Sequence, residues 1–219
     1  MKVGTDGVLI GCWCDTTDAK RVLDIGTGTG LIALMVAQRS TTDCQITGIE
    51  IDTDAAEQAR ENVASSPWPN RIDIVGEKLQ DYLPSCQFDL IVSNPPYFTN
   101  ALKAPDAKRS AARHNDSLTV EDIVHFATKN LSEKGKLAVV LPCEEGKHLL
   151  AESIACGLHV RHTTWVKTTI NKTPKRMLVE VGKEKPERET EDTLVLSNGN
   201  NNEKTDQFID LVKDFYLHY

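Results

Sequence analysis

The chain predicts an α/β fold: a single domain on a doubly wound, mostly parallel sheet of seven strands. Three observations predict it. Short β-branched runs alternate with stretches of helical period through the first half, the sign of a parallel sheet covered on both faces. A glycine-rich turn, GTGTG, joins the first clear strand to the first clear helix. A length of 219 residues with 40% hydrophobic side chains suits one sizeable core over residues 1–219 and leaves little room for a second.

RVLDI (Arg21 to Ile25) reads as the first strand, and LIALMVAQ (Leu31 to Gln38), after the turn, has helical spacing. QITGIE (Gln45 to Glu50) is a second strand, TDAAEQARENVAS from Thr53 a helix, and RIDIV (Arg71 to Val75) a third strand. FDLIVS (Phe88 to Ser93) and GKLAVVLP (Gly135 to Pro142) give strands four and five, separated by a long irregular stretch and the helix VEDIVHFATKNL (Val120 to Leu131). The irregular stretch, from Asn94 to about Thr119, exceeds the roughly 12 to 15 residues of an idle loop, which marks a lid or binding loop. EEGKHLLAESIACG then reads as a helix, HVRHTTWVK and RMLVEVG as the last two strands, and TDQFIDLVKDFYL as a closing helix. Residues 183–203, rich in Lys, Glu, Pro, Asn and Gly, read as a mobile linker before that helix.

Lys+Arg 25 against Asp+Glu 32 leaves a net charge of −7, so the protein is not basic all over and any nucleic-acid contact has to be a local patch. No apolar run approaches the roughly 18 residues of a membrane span, and MKVGTDGVLIGCW lacks the pattern of an export signal. The expectation is a cytoplasmic protein with no membrane partner. Its six cysteines are scattered, without C-x-x-C, which predicts reduced thiols and no metal. Cys12 and Cys14 lie on one side of a strand or far apart on a helix and read as buried small hydrophobes.

Asp24-Ile-Gly26-Thr-Gly28-Thr-Gly30 stands between strand and helix, where backbone passes close to a ligand and helix-start amides point outward. Two ligands fit such a turn, a nicotinamide dinucleotide or an adenosine cofactor without a pyrophosphate. The dinucleotide fingerprint is G-x-G-x-x-G, whereas this turn is G-x-G-x-G with an acid two positions ahead of its first glycine, and a carboxylate beside a diphosphate is repelled. Asp24 is better placed to meet an amino group, directly or through water, and S-adenosylmethionine offers one together with a carboxylate and a ribose. Glu50 ends the next strand, in the roughly 20-residue window where an acid meets ribose hydroxyls.

Asn94-Pro95-Pro96-Tyr97 follows the fourth strand, at the carboxyl edge where open parallel sheets bind ligands. Two prolines fix two φ angles and remove two N–H donors, so the Pro95 carbonyl is a rigid acceptor beside the Asn94 side-chain oxygen. Two converging acceptors suit a planar –NH₂ delocalised into an sp² system, and they stabilise the positive charge that forms when its nitrogen attacks a methyl group. Tyr97, and Phe98 after it, offer a flat face for a base.

DIGTGTG, GIEID and SNPPYF, in this order, resemble the class I S-adenosylmethionine-dependent methyltransferases that modify exocyclic amines. MKVGTDGVLIGCW, ARH after the NPPY loop, PKRMLVEV and the terminal DFYLHY are similar, more narrowly, to the bacterial tRNA(Val) adenine-N6 methyltransferase family, which modifies the adenosine immediately 3′ of the anticodon. The resemblance runs over nearly the whole chain. It implies a Rossmann-like sheet whose last strand is antiparallel, S-adenosylmethionine as cofactor and tRNA as substrate, with the chain acting as a monomer. It further implies that Asp24, Gly26, Gly28 and Gly30 line the methionine part of the cofactor, that Glu50 holds the ribose and Ile51 packs on the adenine, and that Glu77 meets the adenine amine. Lys2 and Thr5 fall in the family's amino-terminal cofactor-side motif, Asn94 touches both cofactor and target, and Pro95, Pro96 and Tyr97 complete the catalytic element. The family has a further segment ahead of MKVGTDG, so this chain reads as shortened there.

RNA needs basic groups, because phosphate contacts dominate such binding. Two segments supply them: Arg161, Lys167, Lys172, Lys175 and Arg176 in an acid-free run from His159 to Val179, and Lys103, Lys108, Arg109 and Arg113 in the long loop. Other readings of the same residues are a protein glutamine-N5 methyltransferase acting on a release factor, N-methylation of another base in rRNA or DNA, and a cofactor-binding subunit without activity. The glutamine enzymes carry an amino-terminal helical domain that this sequence lacks, and an intact NPPY speaks against an inactive subunit.

Overall fold

Strands that are apolar on both faces need cover on both sides, and the protein provides it. The computed structural model describes residues 4–96, 118–199 and 203–216. Its strands are β1 (Arg21–Ile25), β2 (Gln45–Ile49), β3 (Ile72–Val75), β4 (Phe88–Ser93), β5 (Leu131–Pro142), β6 (His159–Thr169), β7 (Arg176–Gly182) and β8 (Thr190–Ser197). They form one eight-stranded sheet in the order β3-β2-β1-β4-β5-β7-β6-β8. Among the described strands β7 alone runs against its neighbours, β5 and β6, and the other strand pairs are parallel. The helices are α1 (Thr5–Trp13), α2 (Leu31–Arg39), α3 (Thr53–Ala64), α4 (Val120–Asn130), α5 (Cys143–Ala155) and α6 (Asp206–Val212).

Successive strand residues alternate between two cores. Val22, Leu90 and Val92 pack with α1, α2, α3 and α6 on one face, whereas Leu23, Ile91 and Val139 pack with α4 and α5 on the other. Helix ends follow local chemistry: Asp52 accepts from the Ala55 N–H at 2.9 Å to cap α3, and Thr119 and Asp122 form a reciprocal capping box on α4. No helix among the described residues is long and apolar enough to cross a membrane.

Two expectations are corrected. The sheet has eight strands rather than seven, so the antiparallel β7 is not the last strand. Residues 183–203, read as a linker, contain β8, which pairs in parallel with β6 from His162↔Thr190 to Thr169↔Ser197. An edge strand is solvated along much of its length, so its composition resembles that of a linker. Its inward contribution is small but firm, with Leu194 and Ser197 buried while Glu191 and Asp192 accept from Trp165 and His162 across the pair. The first helix, α1, has a weak sequence signal for a related reason: Gly7 to Cys12 are all buried, so no polar face sets a 3.6-residue period. Cys12 and Cys14 sit on and just after it as buried free thiols, their pKa values pushed up by burial to about 11 and about 12.

Candidate active site

Sheet register builds the site. Ile25 of β1 pairs with Ile49 of β2 and Ser93 of β4, and Ile49 pairs with Val75 of β3. The next residue of each strand, Gly26, Glu50, Asn94 and Gly76, therefore leaves the sheet at one level of its carboxyl edge. Strand order reverses between β1 and β4, which opens a crevice there. The Ser93 hydroxyl donates to the Ile25 carbonyl at 2.9 Å and ties the two strand ends together.

The crevice is a cavity of about 770 Å³ lined by Thr5, Gly26, Gly28, Glu50, Ile51, Glu77, Asn94, Pro95 and Pro96, among others. That volume lies within the ~300–1,000 Å³ of small-molecule sites. At Gly26, φ is +69°, a conformation L side chains rarely adopt, and a Cβ there would meet open space on the cavity side. The turn is held at the Ile49 carbonyl, which accepts from Gly26 N–H at 2.9 Å and Thr27 N–H at 3.0 Å. Glu50 accepts from Gly28 N–H at 2.8 Å through one oxygen and from Asp52 N–H at 2.9 Å through the other, so its carboxylate is fixed on the wall.

Asp24 differs from the sequence reading. Instead of lining the cavity it is fully buried behind the turn, where its Oδ2 accepts from Thr27 Oγ1 at 2.6 Å and from Ala33 N–H at 3.1 Å, inside the first turn of α2. Burial pushes its carboxyl up to about 7 against those two hydrogen bonds, and the Glu50 charge adds to the rise. Its Oδ1 is buried and has no hydrogen-bond partner among the described residues. Gly30, likewise off the wall, begins α2 with φ +83° and packs near Ala59.

Thr5, Gly26, Gly28, Glu50, Ile51, Glu77, Asn94, Pro95 and Pro96 of the expected site thus share one cavity. Lys2, Tyr97, Lys103, Lys108, Arg109 and Arg113 lie outside the described residues. Sequence reasoning missed Asp6, Gly7, Lys78, Leu79, Gln80 and Leu118 on the cavity wall. The first two belong to the aperiodic α1, and the others to connections without a motif.

The basic run divides. Pro142 of β5, two residues beyond the level of Asn94, pairs with Arg176, and Arg176 pairs with Val166. The end of β6, with half-buried Lys167, and the β6–β7 turn, with exposed Lys172 and Lys175, therefore rise above the same carboxyl edge as the cavity. Arg161 is at the opposite edge, 3.4 Å from Glu180 and donating to the Glu184 carbonyl at 3.0 Å. Arg176 donates to Asp6 at 2.8 Å. One His/Cys/acid grouping among the described residues, His125 on α4, Glu152 on α5 and Cys156 at the end of α5, has His125 and Glu152 in contact at 3.2 Å.

The donor set fits S-adenosylmethionine: an acid fixed beside the turn for ribose hydroxyls, the half-exposed Ile51 for an adenine face, and behind the turn a carboxylate oxygen, unpartnered among the described residues, for an ammonium to reach through a bridging water. Fold and site together define a class I S-adenosylmethionine-dependent methyltransferase. Residues 6–161 match the family described as methyltransferase small domain. A tRNA1(Val) (adenine(37)-N6)-methyltransferase of Parabacteroides distasonis is 43% identical over 219 residues, covering 99% of this chain and 91% of that protein. Its namesake in Haemophilus influenzae is 43% identical over 221 residues, covering 100% and 93%. The chain belongs to this family of tRNA1(Val) (adenine(37)-N6)-methyltransferases. Among solved structures, a predicted O-methyltransferase of Agrobacterium tumefaciens superposes with a TM-score of 0.71 at 21% identity over 95% of this chain and 96% of that one. TrmN of Thermus thermophilus gives 0.53 at 20% identity over 75% and 44%, and both share the fold.

Proposed function

We propose that the chain methylates the exocyclic N6 amine of an adenosine in tRNA, that of position 37 of tRNA1(Val), as the names of its relatives state for those proteins. The observation that carries the reading is the register that sets Asn94 one step and Pro95 two steps beyond Ser93, beside the glycine turn that begins one step beyond Ile25. S-adenosylmethionine, when bound, supplies an electrophilic methyl group. The chain's own part is orientation: the Asn94 oxygen and the Pro95 carbonyl accept the two hydrogens of the amine, point its lone pair into the cavity and stabilise charge as it develops. Neither acceptor removes a proton, and none has to leave before the nitrogen attacks. Tyr97 belongs to the proposal as the stacking face for the base.

Lys167 near the end of β6 and Lys172 and Lys175 on the β6–β7 turn, with Lys103, Lys108, Arg109 and Arg113, are proposed as the phosphate-contacting surface. Arg161 is left out because it faces the other edge and is paired. Methylating a total tRNA pool with labelled cofactor, followed by nucleoside analysis, tests the function. Label in N6-methyladenosine from a valine tRNA is expected. Label in glutamine of a protein, or in another base, overturns it.

A further inference from the structure

Helix α1 meets the site through its first turn. Thr5, Asp6 and Gly7 wall the cavity. Gly7 lies so close to the NPP element that a Cβ there would stand 3.7 Å from the Asn94 side-chain nitrogen and 3.3 Å from Leu31 Cδ2. The Asn94 amide therefore rests against this turn, and a shift of α1 moves the wall behind it. The turn has no side-chain cap at Gly4. It is held by an ion pair instead: Arg176 Nε donates to Asp6 Oδ2 at 2.8 Å, with the two side chains only 33% and 24% exposed. Arg176 Nη1 also donates to the Lys175 carbonyl at 3.1 Å, so the same guanidinium grips the end of the basic turn.

We propose that Arg176 is a positioning residue: through Asp6 it locks the first turn of α1 against the cofactor cavity and Asn94, and so links the basic β6–β7 turn to the geometry of methyl transfer. A half-buried guanidinium already committed to a carboxylate is poorly available to a phosphate, while Lys172 and Lys175 beside it are exposed. Contact of a polyanion with those lysines would then reach Asn94 through one guanidinium and one helical turn. This last link rests on the reading of the turn as an RNA surface. The lock on the cavity does not.

The test is a double-mutant cycle of Asp6→Asn and Arg176→Gln, with cofactor affinity read by calorimetry and rate and KM read on tRNA. Each single variant should weaken S-adenosylmethionine binding and slow single-turnover transfer by about tenfold, the scale of a charged hydrogen bond, and the double variant should be no worse than either. Lys175→Gln, on the same turn but outside the ion pair, should raise KM for tRNA and leave cofactor affinity alone. If Arg176→Gln raises KM with cofactor affinity unchanged while Asp6→Asn changes nothing, Arg176 contacts phosphate directly and the proposal fails. Additive effects also defeat it. Should both single variants unfold, the reversed pair Asp6→Arg with Arg176→Asp decides: regained fold and cofactor binding support the lock, and continued loss overturns it. Because calorimetry needs no RNA, a wrong substrate assignment would leave the cofactor result standing.

Discussion

The carboxyl edge over β1, β2 and β4 and the outer edge of β6, β7 and β8 are both built from strand ends and turns, yet they use sequence differently. At the first, each functional group sits beside the backbone feature that needs it: glycines in the turn, Glu50 one step past β2, Asn94 one step past β4. At the second, side chains of one kind go to different places. Arg161, Lys172 and Arg176 belong to a single basic run, but the hairpin sends Arg161 to the far edge, leaves Lys172 in solvent and gives Arg176 to Asp6. A motif therefore locates chemistry when the strand end itself is the site, and misleads when strand pairing has still to choose a direction.

The contrast is broken most sharply at Asn94. Asn94→Ala should cost about 10² to 10³ in single-turnover rate, by analogy with the loss of one oxyanion-hole donor, with cofactor affinity nearly unchanged. Near wild-type turnover would remove the NPP element from the mechanism.

The next effect belongs to the outer edge. Leu194 is 3% exposed on β8, and Leu194→Ala should destabilise the fold by about 2 to 4 kcal/mol in urea unfolding. A linker would tolerate the change, so an unaltered midpoint would dissolve β8 as a structural strand.

Glu50→Ala should weaken cofactor binding by about 1 to 3 kcal/mol, because the ribose loses its acceptor and the Gly28 N–H, bonded at 2.8 Å, loses its own. Glu50→Gln should cost less, since an amide oxygen can still accept from Gly28. Calorimetry separates them, and equal losses would mean that charge rather than turn geometry dominates.

The smallest effect sharpens the reading of the basic turn. Lys172→Glu with Lys175→Glu should raise KM for tRNA severalfold and lower its salt slope by about 2, one for each phosphate contact, with cofactor affinity intact. A slope that does not change would move the RNA surface elsewhere.

Much of the fold was legible. Alternating runs announced β1 to β5 and the helices between them, because strands buried on both faces must be apolar throughout. The polar β8 and the aperiodic α1 were not, since one is mostly solvated and the other almost wholly buried, and neither condition leaves a period to read.

By itself the sequence determined what backbone chemistry dictates locally: a glycine-rich turn beginning at Gly26, prolines that strip donors beside Asn94, and acids at two strand ends. Tertiary structure alone decided which acid faces the ligand. Asp24 and Glu50 both stand at the carboxyl ends of parallel strands, yet Asp24 is enclosed by Thr27 and the start of α2, while Glu50 is clamped on the cavity wall by Gly28 and Asp52. The same holds for Arg176, whose partner Asp6 is 170 residues away in the chain. The reason is range: φ preferences and donor counts act within a few residues, whereas burial and charge pairing depend on which distant segments the sheet register brings together.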